Sequence, residues 1–431
     1  MPRTSFRTDY AAAFALTVSL FALWGLGQAL FNTLLPQFVQ AFALRGFGQA
    51  LTQSVYAIVY FVGAIPAALY ARRLGYKAGI ILGLGNLGLG AFLLYPAAEM
   101  QAYPYFLFAV ILMSCGWIML EVAANPLVAS FGSVKTSVQR LNLAQSFFPL
   151  GTLLGFYAGR WLAVSHLALP WEGLRYPIAH PYILIAAGVL VLMYFVSETR
   201  FPPIATERIE TSRGTTAEFR TLLSRPHFLF GIAAQFFCVL ALAGTWSTSD
   251  DVFAAGFPAA ARAGGVSGYL LALVLFAVGR FAGSALMIRI RPERLLAVFA
   301  GGGFLLAAAA TLWGGATGAI AMLGSCFFLS ITWPTVLGLA IRGQGQLMKL
   351  GTALICMGGA VGGVVYQMLR VVWSLPSGHF GMLVPACSYL FVLAFALASH
   401  WAPRENAVKS AAIAASDIAR GPQDEPTAIR T

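Results

Sequence analysis

The sequence has 431 residues, of which 59% are hydrophobic and 10% are charged, with a formal net charge of +12. Soluble domains carry about 25% charged residues, so this composition excludes a soluble protein and predicts an integral membrane protein. Only helices and closed barrels satisfy their backbone hydrogen bonds in lipid. The apolar runs here reach about 20 residues, the length of a membrane-spanning helix, whereas barrel strands alternate over about ten residues.

Twelve apolar runs follow one another along the chain, and we predict that each is a transmembrane helix. In chain order they cover residues 11–39, 51–73, 77–97, 103–131, 139–163, 178–197, 227–252, 265–288, 294–313, 316–341, 349–372 and 379–401. A charged segment separates the sixth run from the seventh, and a polar segment follows the last. The sequence therefore predicts an all-α membrane protein with an N-terminal six-helix bundle (1–197), a cytoplasmic linker (198–226), a C-terminal six-helix bundle (227–401) and a disordered cytoplasmic tail (402–431).

Lysine and arginine gather on one side of this arrangement. With the N-terminus inside, most of the 27 Lys and Arg residues lie inside, while the outside holds Arg45, Arg160, Arg175, Arg262 and Arg370. Basic residues are enriched in cytoplasmic loops, so we predict a multi-pass protein of the inner (plasma) membrane with both termini in the cytoplasm. The net positive charge then reflects topology and contact with anionic lipid head groups, and it does not indicate a nucleic-acid partner.

The two halves of the sequence resemble each other. Asn125-Pro126 in the fourth run corresponds to Trp333-Pro334 in the tenth, and Gly151 in the fifth run corresponds to Gly359 in the eleventh at the same offset. Two related six-helix halves are the parallel repeat of the major facilitator superfamily. We therefore predict a pair of pseudo-symmetric bundles.

One acidic residue lies deep inside an apolar run. In WIMLEVAANPLV (117–128), Glu121 is roughly 27 Å along the helix from Tyr103 at 1.5 Å per residue. A charge at this depth costs several kcal/mol, and the low dielectric favours the neutral acid. We predict that Glu121 binds and releases the coupling ion, H⁺. The alternative is a neutral acid that only hydrogen-bonds a neighbouring helix.

Further polar side chains recur at helical spacing. The candidate substrate-binding residues are Gln28, Asn32, Asn125, Asn142, Gln145, Gln235 and Trp246. Amides both donate and accept hydrogen bonds, which suits sugar hydroxyls, although any single amide is equally open to a bond between helices. The sequence shows no phosphate-binding glycine loop, metal-ligand spacing or Ser/His/Asp arrangement. It therefore predicts neither an enzyme, nor a bound metal, nor an organic cofactor.

Several segments together resemble one known family, the L-fucose permease group of fucose/galactose/glucose:proton symporters. The matching segments are FALWGLGQALFNTLLPQF (21–38), ARRLGYKAGIILG (71–83), LEVAANPLV (120–128), QRLNLAQSF (139–147), AAQFF (233–237), LVLFAVGRFAGS (273–284) and SITWPTVLGLAI (330–341). The resemblance covers nearly the whole chain. It implies proton-coupled uptake of a hexose by alternating access.

The resemblance also implies roles for individual residues. The important acid of the family's fourth span corresponds to Glu121, and the amides of its fifth span correspond to Asn142 and Gln145. The acid of its first span falls on Asn32, which cannot carry a proton. A proton relay in this chain would therefore depend on Glu121 alone.

Other departures concern the second half and the predicted outer mouth. Leu242 and Gly268 stand where the family tends to have Gln and Asn, so we expect a more apolar wall there. Asp250 and Asp251 lie near the outer end of the seventh run. They are either a replacement for the missing acid or solvated residues at a helix end.

We therefore expect a secondary transporter that works as a monomer in the bilayer and carries a monosaccharide of the fucose/hexose class with protons. Two alternatives remain open, which are a uniporter and a proton-linked exporter of a less polar small molecule. A sugar sensor without transport would need a larger soluble extension than the tail 402–431.

Overall fold

The computed structural model describes residues 10–45, 47–165, 180–208, 215–262, 267–372 and 378–399. Within these ranges the regular structure is entirely helical. This follows from the composition, because an apolar chain in lipid must satisfy its backbone polar groups within each segment. The predicted tail 402–431 lies outside the described residues.

The first half contains seven helices. They are α1 (Ala11–Ala41), α2 (Phe47–Leu74), α3 (Tyr76–Glu99), α4 (Tyr103–Ser130), α5 (Ser137–Gln145), α6 (Phe147–Ser165) and α7 (His180–Glu198). The turn between α2 and α3 depends on Gly75, which has φ +91° and sits against the linker backbone. A Cβ atom at Gly75 would lie 2.7 Å from the carbonyl oxygen of Ala205. Another residue would therefore be strained and would clash there.

The predicted linker contains two short helices, α8 (Pro203–Thr206) and α9 (Thr215–Leu223). Helix α9 is attached to the first half by the Glu218 carboxylate, which pairs with both terminal nitrogens of Arg72 at the end of α2. The two side chains are 12% and 3% exposed. The linker therefore packs on the bundle instead of only connecting its halves.

The second half begins at α10 and ends with α17. Its helices are α10 (Pro226–Gly256), α11 (Pro258–Arg262), α12 (Gly268–Leu286), α13 (Pro292–Leu312), α14 (Gly315–Leu329), α15 (Thr332–Ile341), α16 (Met348–Val372) and α17 (383–399), the last preceded by a 3₁₀ turn at Gly378–Met382. Proline in the first turn starts α10, α11 and α13, where its missing N–H costs nothing.

Two of the predicted transmembrane runs are interrupted helices. The fifth divides into α5 and α6 at Ser146, and the tenth divides into α14 and α15 at Ser330 and Ile331. The Ser146 hydroxyl donates to the Asn142 carbonyl at 2.8 Å, and the Ser330 hydroxyl donates to the Phe327 carbonyl at 2.7 Å. Such bonds to the preceding turn bend a helix. Among the described residues, ten stretches are long and apolar enough to cross a membrane, and Tyr182–Glu198 in α7 is a shorter apolar helix.

Helices α1 and α6 approach each other at backbone distance. A Cβ atom at Gly151 would lie 1.9 Å from the carbonyl oxygen of Ala22, and one at Gly155 would lie 2.3 Å from that of Leu26. Small residues allow this approach between membrane helices. We call this contact the glycine seam of α1 and α6.

The two halves meet at the end of the bundle where α1 begins, which we call the basic end because Arg72, Arg140 and Lys349 lie there. The Lys349 ammonium on α16 donates to the carbonyl oxygens of Ala71 at 2.9 Å and Glu207 at 3.3 Å. Nearer the middle of the bundle, Asn142 on α5 and Thr335 on α15 exchange hydrogen bonds of 3.1 and 3.3 Å. Side-chain packing and these bonds close this end.

Candidate substrate cavity

A cavity of about 760 Å³ lies between the two halves. Helices of both halves line it, and the lining residues lie on the far side of the Lys349 and Asn142 contacts from the basic end. The cavity therefore opens at the end opposite the basic end. Ligand sites for small molecules commonly measure about 300–1,000 Å³. This cavity is therefore of a size suited to a small-molecule substrate.

Five of the sequence-predicted residues line this cavity. They are Gln28 and Asn32, one turn apart on α1, with Glu121 on α4, Gln145 on α5 and Trp246 on α10. Asn32 is exposed and Gln28 is half-buried, whereas Glu121 and Gln145 are 3% and 4% exposed. The first half thus contributes amides near the mouth and an acid at the floor.

Glu121 contacts the opposite half directly. The thiol of Cys356 on α16 donates to its Oε1 at 3.4 Å. Two other buried groups of the lining face polar neighbours without a well-formed hydrogen bond: the Tyr60 hydroxyl lies beside Glu121 and Tyr56, and the Trp24 indole N–H lies beside Tyr56. The floor of the cavity therefore offers polar groups that a ligand can satisfy.

Arg280, for which the sequence predicted no role, lies in the cavity wall on α12. Its Nε donates to the Ser330 carbonyl at 2.8 Å, and its Nη1 donates to the backbone and side-chain oxygens of Gln145 at 3.0 and 3.2 Å. Its guanidinium carbon lies 4.8 Å from the centre of the Phe276 ring. A charged residue inside an apolar run is the signal that drew attention to Glu121, and it applies equally to Arg280.

Three predicted residues do not line the cavity. Asn125 donates to the backbone carbonyl of Glu121 at 2.9 Å and accepts from the Gln145 amide at 2.8 Å. Asn142 is fully buried in its contact with Thr335. Gln235 is fully buried behind the wall, and neither polar atom of its amide has a partner within the described residues.

The amides connect Glu121 and Arg280, the two lining residues that ordinarily carry a charge. Arg280 donates to Gln145, Gln145 donates to Asn125, and Asn125 donates to the backbone of Glu121. The sequence spacing of LEVAANP and RLNLAQ gave no sign of this chain, because it depends on how α4, α5 and α12 meet. The asparagine and glutamine therefore position charged residues in addition to any role they have toward a ligand.

Aromatic and aliphatic side chains form most of the remaining wall. Trp246 contacts Tyr269 and Phe276 with ring centres 5.6 and 5.2 Å apart, and Trp24 contacts Phe148 at 5.6 Å. In the second half the lining includes the apolar residues Val239, Leu242, Leu273, Gly359 and Ala360. Apart from Arg280 and the Cys356 thiol, this wall offers mainly flat or apolar surfaces.

Asp250 and Asp251 lie away from this cavity. Asp250 accepts a hydrogen bond of 2.9 Å from the backbone N–H of Tyr269, near the start of α12, and lines a smaller outer pocket with Arg160. Asp251 is exposed. Within the described part of the chain, no group of three or more His, Cys, Asp or Glu residues is placed to hold a metal ion.

Paired helical halves that enclose a central cavity, closed at one end and open at the other, define a membrane transporter. The chain belongs to the Major Facilitator Superfamily, whose family model matches residues 13–366. This confirms the predicted fold class of twelve transmembrane helices in two six-helix bundles. The family consists of transporters, so the chain is not an enzyme.

The chain is similar to characterised relatives over nearly its whole length. It is 33% identical over 411 residues to an L-fucose-proton symporter of Escherichia coli, covering 90% of this chain and 93% of that protein. It is 28% identical over 406 residues to a glucose/galactose transporter of Brucella abortus, covering 91% and 95%. The resemblance to the fucose permease group is therefore confirmed.

A solved structure shows the same architecture. The structure of the transporter FucP in the outward conformation matches with a TM-score of 0.80 at 31% identity, covering 91% of this chain and 99% of that one. The structure of the proton:xylose symporter XylE matches with a TM-score of 0.66 at 15% identity, which shows the fold alone.

Proposed function

We propose that the chain is a symporter that couples the uptake of a monosaccharide of the fucose/hexose class to the entry of protons. The observation that carries this proposal is that Glu121 lines the central cavity and touches Cys356 on the opposite half. A carboxyl in that position senses both the ligand and the relative placement of the halves. The relatives named above, a fucose-proton symporter and a glucose/galactose transporter, support the substrate class.

In the proposed alternating-access cycle, the two bundles, the linker and the cavity residues have different roles. The bundles 1–197 and 227–401 rock about the cavity, while the linker 198–226 keeps them joined. Gln28, Asn32 and Gln145 face sugar hydroxyls, and Trp246 packs against an apolar face of the ring. Asn125, Asn142 and Gln235, which we expected to bind substrate, support the site from behind in this state.

The orientation follows from the basic residues. We place the basic end and both termini in the cytoplasm of the cell, with the protein in the inner (plasma) membrane. The cavity is then open to the outside, and the contacts of Lys349 and Asn142 seal the inside. A single chain encloses the cavity, which supports action as a monomer.

Uphill transport in proteoliposomes tests the proposal. With the vesicle interior alkaline, labelled fucose, galactose and glucose are offered in turn, alone and with a protonophore. We expect accumulation of at least one substrate above its external concentration, and loss of that accumulation with the protonophore. Uptake that reaches only the external concentration, with or without the pH gradient, would indicate a uniporter.

A proton-linked exporter is the second candidate, and the apolar wall formed by Val239, Leu242 and Leu273 favours it. The same vesicles distinguish the two functions when hydrophobic dyes replace sugars. Dye extrusion driven by the pH gradient, without sugar uptake, would favour export.

A further inference from the structure

Helix α10 carries four residues on one face, at spacings of four, three and four. Trp246, Leu242 and Val239 line the central cavity, and Gln235 is the next residue of this face toward the basic end. Residues at these spacings lie above one another along a helix. The cavity therefore follows one face of α10 inward as far as Val239, which is one turn from Gln235.

A glycine on the neighbouring helix lies between Gln235 and the cavity. Gly359 on α16 lines the cavity, and a Cβ atom built there would lie 3.5 Å from Cγ of Gln235 and 3.0 Å from Cγ2 of Val239. Because Gly359 has no side chain, a displacement of α16 against α10 uncovers the glutamine without moving a bulky residue out of the way.

The Gln235 amide is unpaired in the state that is open to the outside. The residue is fully buried, and neither its Oε1 nor its Nε2 has a hydrogen-bond partner within the described residues. Burying an amide without partners is unfavourable, and such groups are few in folded proteins. A nonpolar side chain of similar size would be less costly at this position. The glutamine therefore indicates a partner that is present in another state of the transport cycle.

The second half of the protein offers few polar groups to a neutral sugar. Its part of the lining is apolar apart from Arg280, whose donors bond other residues of the protein, and the Cys356 thiol, which bonds Glu121. An amide has two N–H donors and an oxygen that accepts, so it can bond a sugar hydroxyl in both directions. Gln235 would supply the polar contact that this wall lacks.

We infer that Gln235 is a substrate-binding residue of the state that is open to the inside. A secondary transporter presents one site to each side of the membrane in turn. When the outer mouth closes and the basic end opens, the cavity extends by one turn along α10, and the Gln235 amide hydrogen-bonds a hydroxyl of the sugar. Gln28 and Asn32 bind the sugar from the outside, and Gln235 binds it before release. This inference rests on the proposed function and adds a contact to the same site.

The variant Gln235→Met tests this contact, because methionine keeps the length of the side chain and loses both polar atoms. Labelled fucose, galactose and glucose are offered to the outer face in right-side-out membrane vesicles and to the inner face in inside-out vesicles, at equal pH on both sides. We expect the KM at the inner face to rise about tenfold, since the sugar loses up to two hydrogen bonds, and the KM at the outer face to stay within about twofold. Unchanged KM values at both faces, or an equal rise at both, overturn the inference.

Thermal stability separates substrate binding from a structural role. Because the amide has no partner in the state open to the outside, the thermal midpoint of Gln235→Met without sugar should equal or exceed that of the wild-type protein. A lower midpoint together with impaired transport at both faces would show that Gln235 only supports the fold, and would overturn the inference. The matched control is Gln367→Met, which removes an exposed amide of α16 and should change neither the KM values nor the midpoint.

Deoxy sugars extend the test to the ligand. Galactose analogues that lack one hydroxyl, at C2, C3, C4 or C6, are compared at the inner face of both proteins. Loss of the hydroxyl that Gln235 binds should raise the KM of the wild-type protein, and the methionine variant should show no further rise for that analogue. An additive rise for every analogue overturns the assignment. Absence of sugar transport by the wild-type protein would contradict the proposed function and this inference with it, whereas sugar transport without these differences contradicts the inference alone.

Discussion

The thiol of Cys356 and the carboxylate of Glu121 form a hydrogen bond of 3.4 Å between the two halves of the protein. Cys356 belongs to α16 and Glu121 to α4, so the residue proposed to carry the proton is in contact with the half that moves past it. The surroundings of the Glu121 carboxyl therefore depend on how the two halves are placed around the cavity. A change in the placement of the halves therefore changes what Glu121 can bind.

The first prediction concerns Glu121→Gln. The amide has the size of the neutral acid and cannot release a proton, so proton-driven accumulation should fall until inside and outside concentrations are equal. Exchange of labelled for unlabelled substrate across the membrane should persist, because the cavity keeps its shape. Counterflow and uphill uptake in the same vesicles measure the two activities.

The matched control for this change is Asp251→Asn, which also removes one acid but at an exposed helix end. We expect normal accumulation in the control. Uphill uptake by the Glu121→Gln variant would show that another group carries the proton.

A second prediction uses the thiol of Cys356 as a reporter. It lines a cavity that opens at one end, and 4% of its surface is exposed. A small hydrophilic thiol reagent added from the open side should inactivate uptake, and bound substrate should slow that loss by covering the floor. The variant Cys356→Ser should resist the reagent while retaining uptake, because serine preserves the donor to Glu121.

Reaction of the reagent with other cysteines could also abolish uptake, and the Cys356→Ser variant tests for this. Cys387 is exposed elsewhere on the surface and Cys115 is half-buried. If the reagent inactivates the Cys356→Ser variant as fast as the wild-type protein, the reaction that abolishes uptake occurs at one of these other cysteines. The placement of Cys356 in the cavity would then be wrong for the transporting state.

A third prediction concerns closure of the basic end by Lys349. Its ammonium bonds two carbonyl oxygens and lies 4.3 Å from the centre of the Tyr76 ring, so it joins α16 to the first half and to the linker. Hydrogen bonds of a charged group contribute about 1.5–3 kcal/mol. Replacement by methionine should therefore shift the balance between states away from closure by about tenfold or more, at about 1.4 kcal/mol per tenfold change. Faster labelling of the cysteine in a Ser130→Cys variant, by a thiol reagent added from the basic end, would report this opening.

The control is Lys77→Met. The Lys77 ammonium also bonds two carbonyl oxygens, those of Ser197 at 2.7 Å and Thr199 at 3.0 Å, but these lie at the end of α7 and the start of the linker, and neither the donor nor the acceptors belong to the second half. Its loss should leave the balance between states unchanged. Equal labelling of Ser130→Cys in both backgrounds would mean that Lys349 does not hold the basic end closed.

A fourth prediction concerns the pair formed by Arg72 and Glu218, which attaches linker helix α9 to α2. Breaking a fully buried pair on one side leaves an uncompensated charge and costs about 3–5 kcal/mol, and this pair, in which Glu218 is partly exposed, should cost less. Arg72→Glu and Glu218→Arg should each lower the thermal midpoint of the detergent-purified protein. The double exchange should recover most of the loss, and a double variant as unstable as the sum of the two would argue against the pairing.

The fold could be predicted from the sequence because lipid leaves a chain few choices. Apolar runs of spanning length indicate the helices, and the one-sided distribution of basic residues requires an even number of spans. The interruptions at Ser146 and Ser330 could not be predicted in this way, since hydropathy does not register a hydroxyl that bonds the preceding turn. The docking of α9 also escaped prediction, because it depends on the long-range pair between Arg72 and Glu218.

Candidate site residues could be predicted from the sequence where a charged residue lies deep in an apolar run. They could not be predicted where the role of a residue depends on which side chains surround it in the fold. Glu121 was found because it is the one acid deep in an apolar run. Asn125 and Gln145 share the polarity of Gln28, yet Asn125 lies behind the wall and serves its neighbours. Which amide faces the cavity depends on the rotation of each helix, and a single sequence contains little information about rotation.

The glycine seam of α1 and α6 has a mechanical consequence. Because the backbones approach each other closely at Gly151 and Gly155, we expect these two helices to move as one unit, so that the amides of α1 move together with the aromatic side chains of α6. If Gln28 and Asn32 bind the substrate as proposed, the substrate moves with this helix pair, and its binding and release then depend on movements of the opposite wall of the cavity.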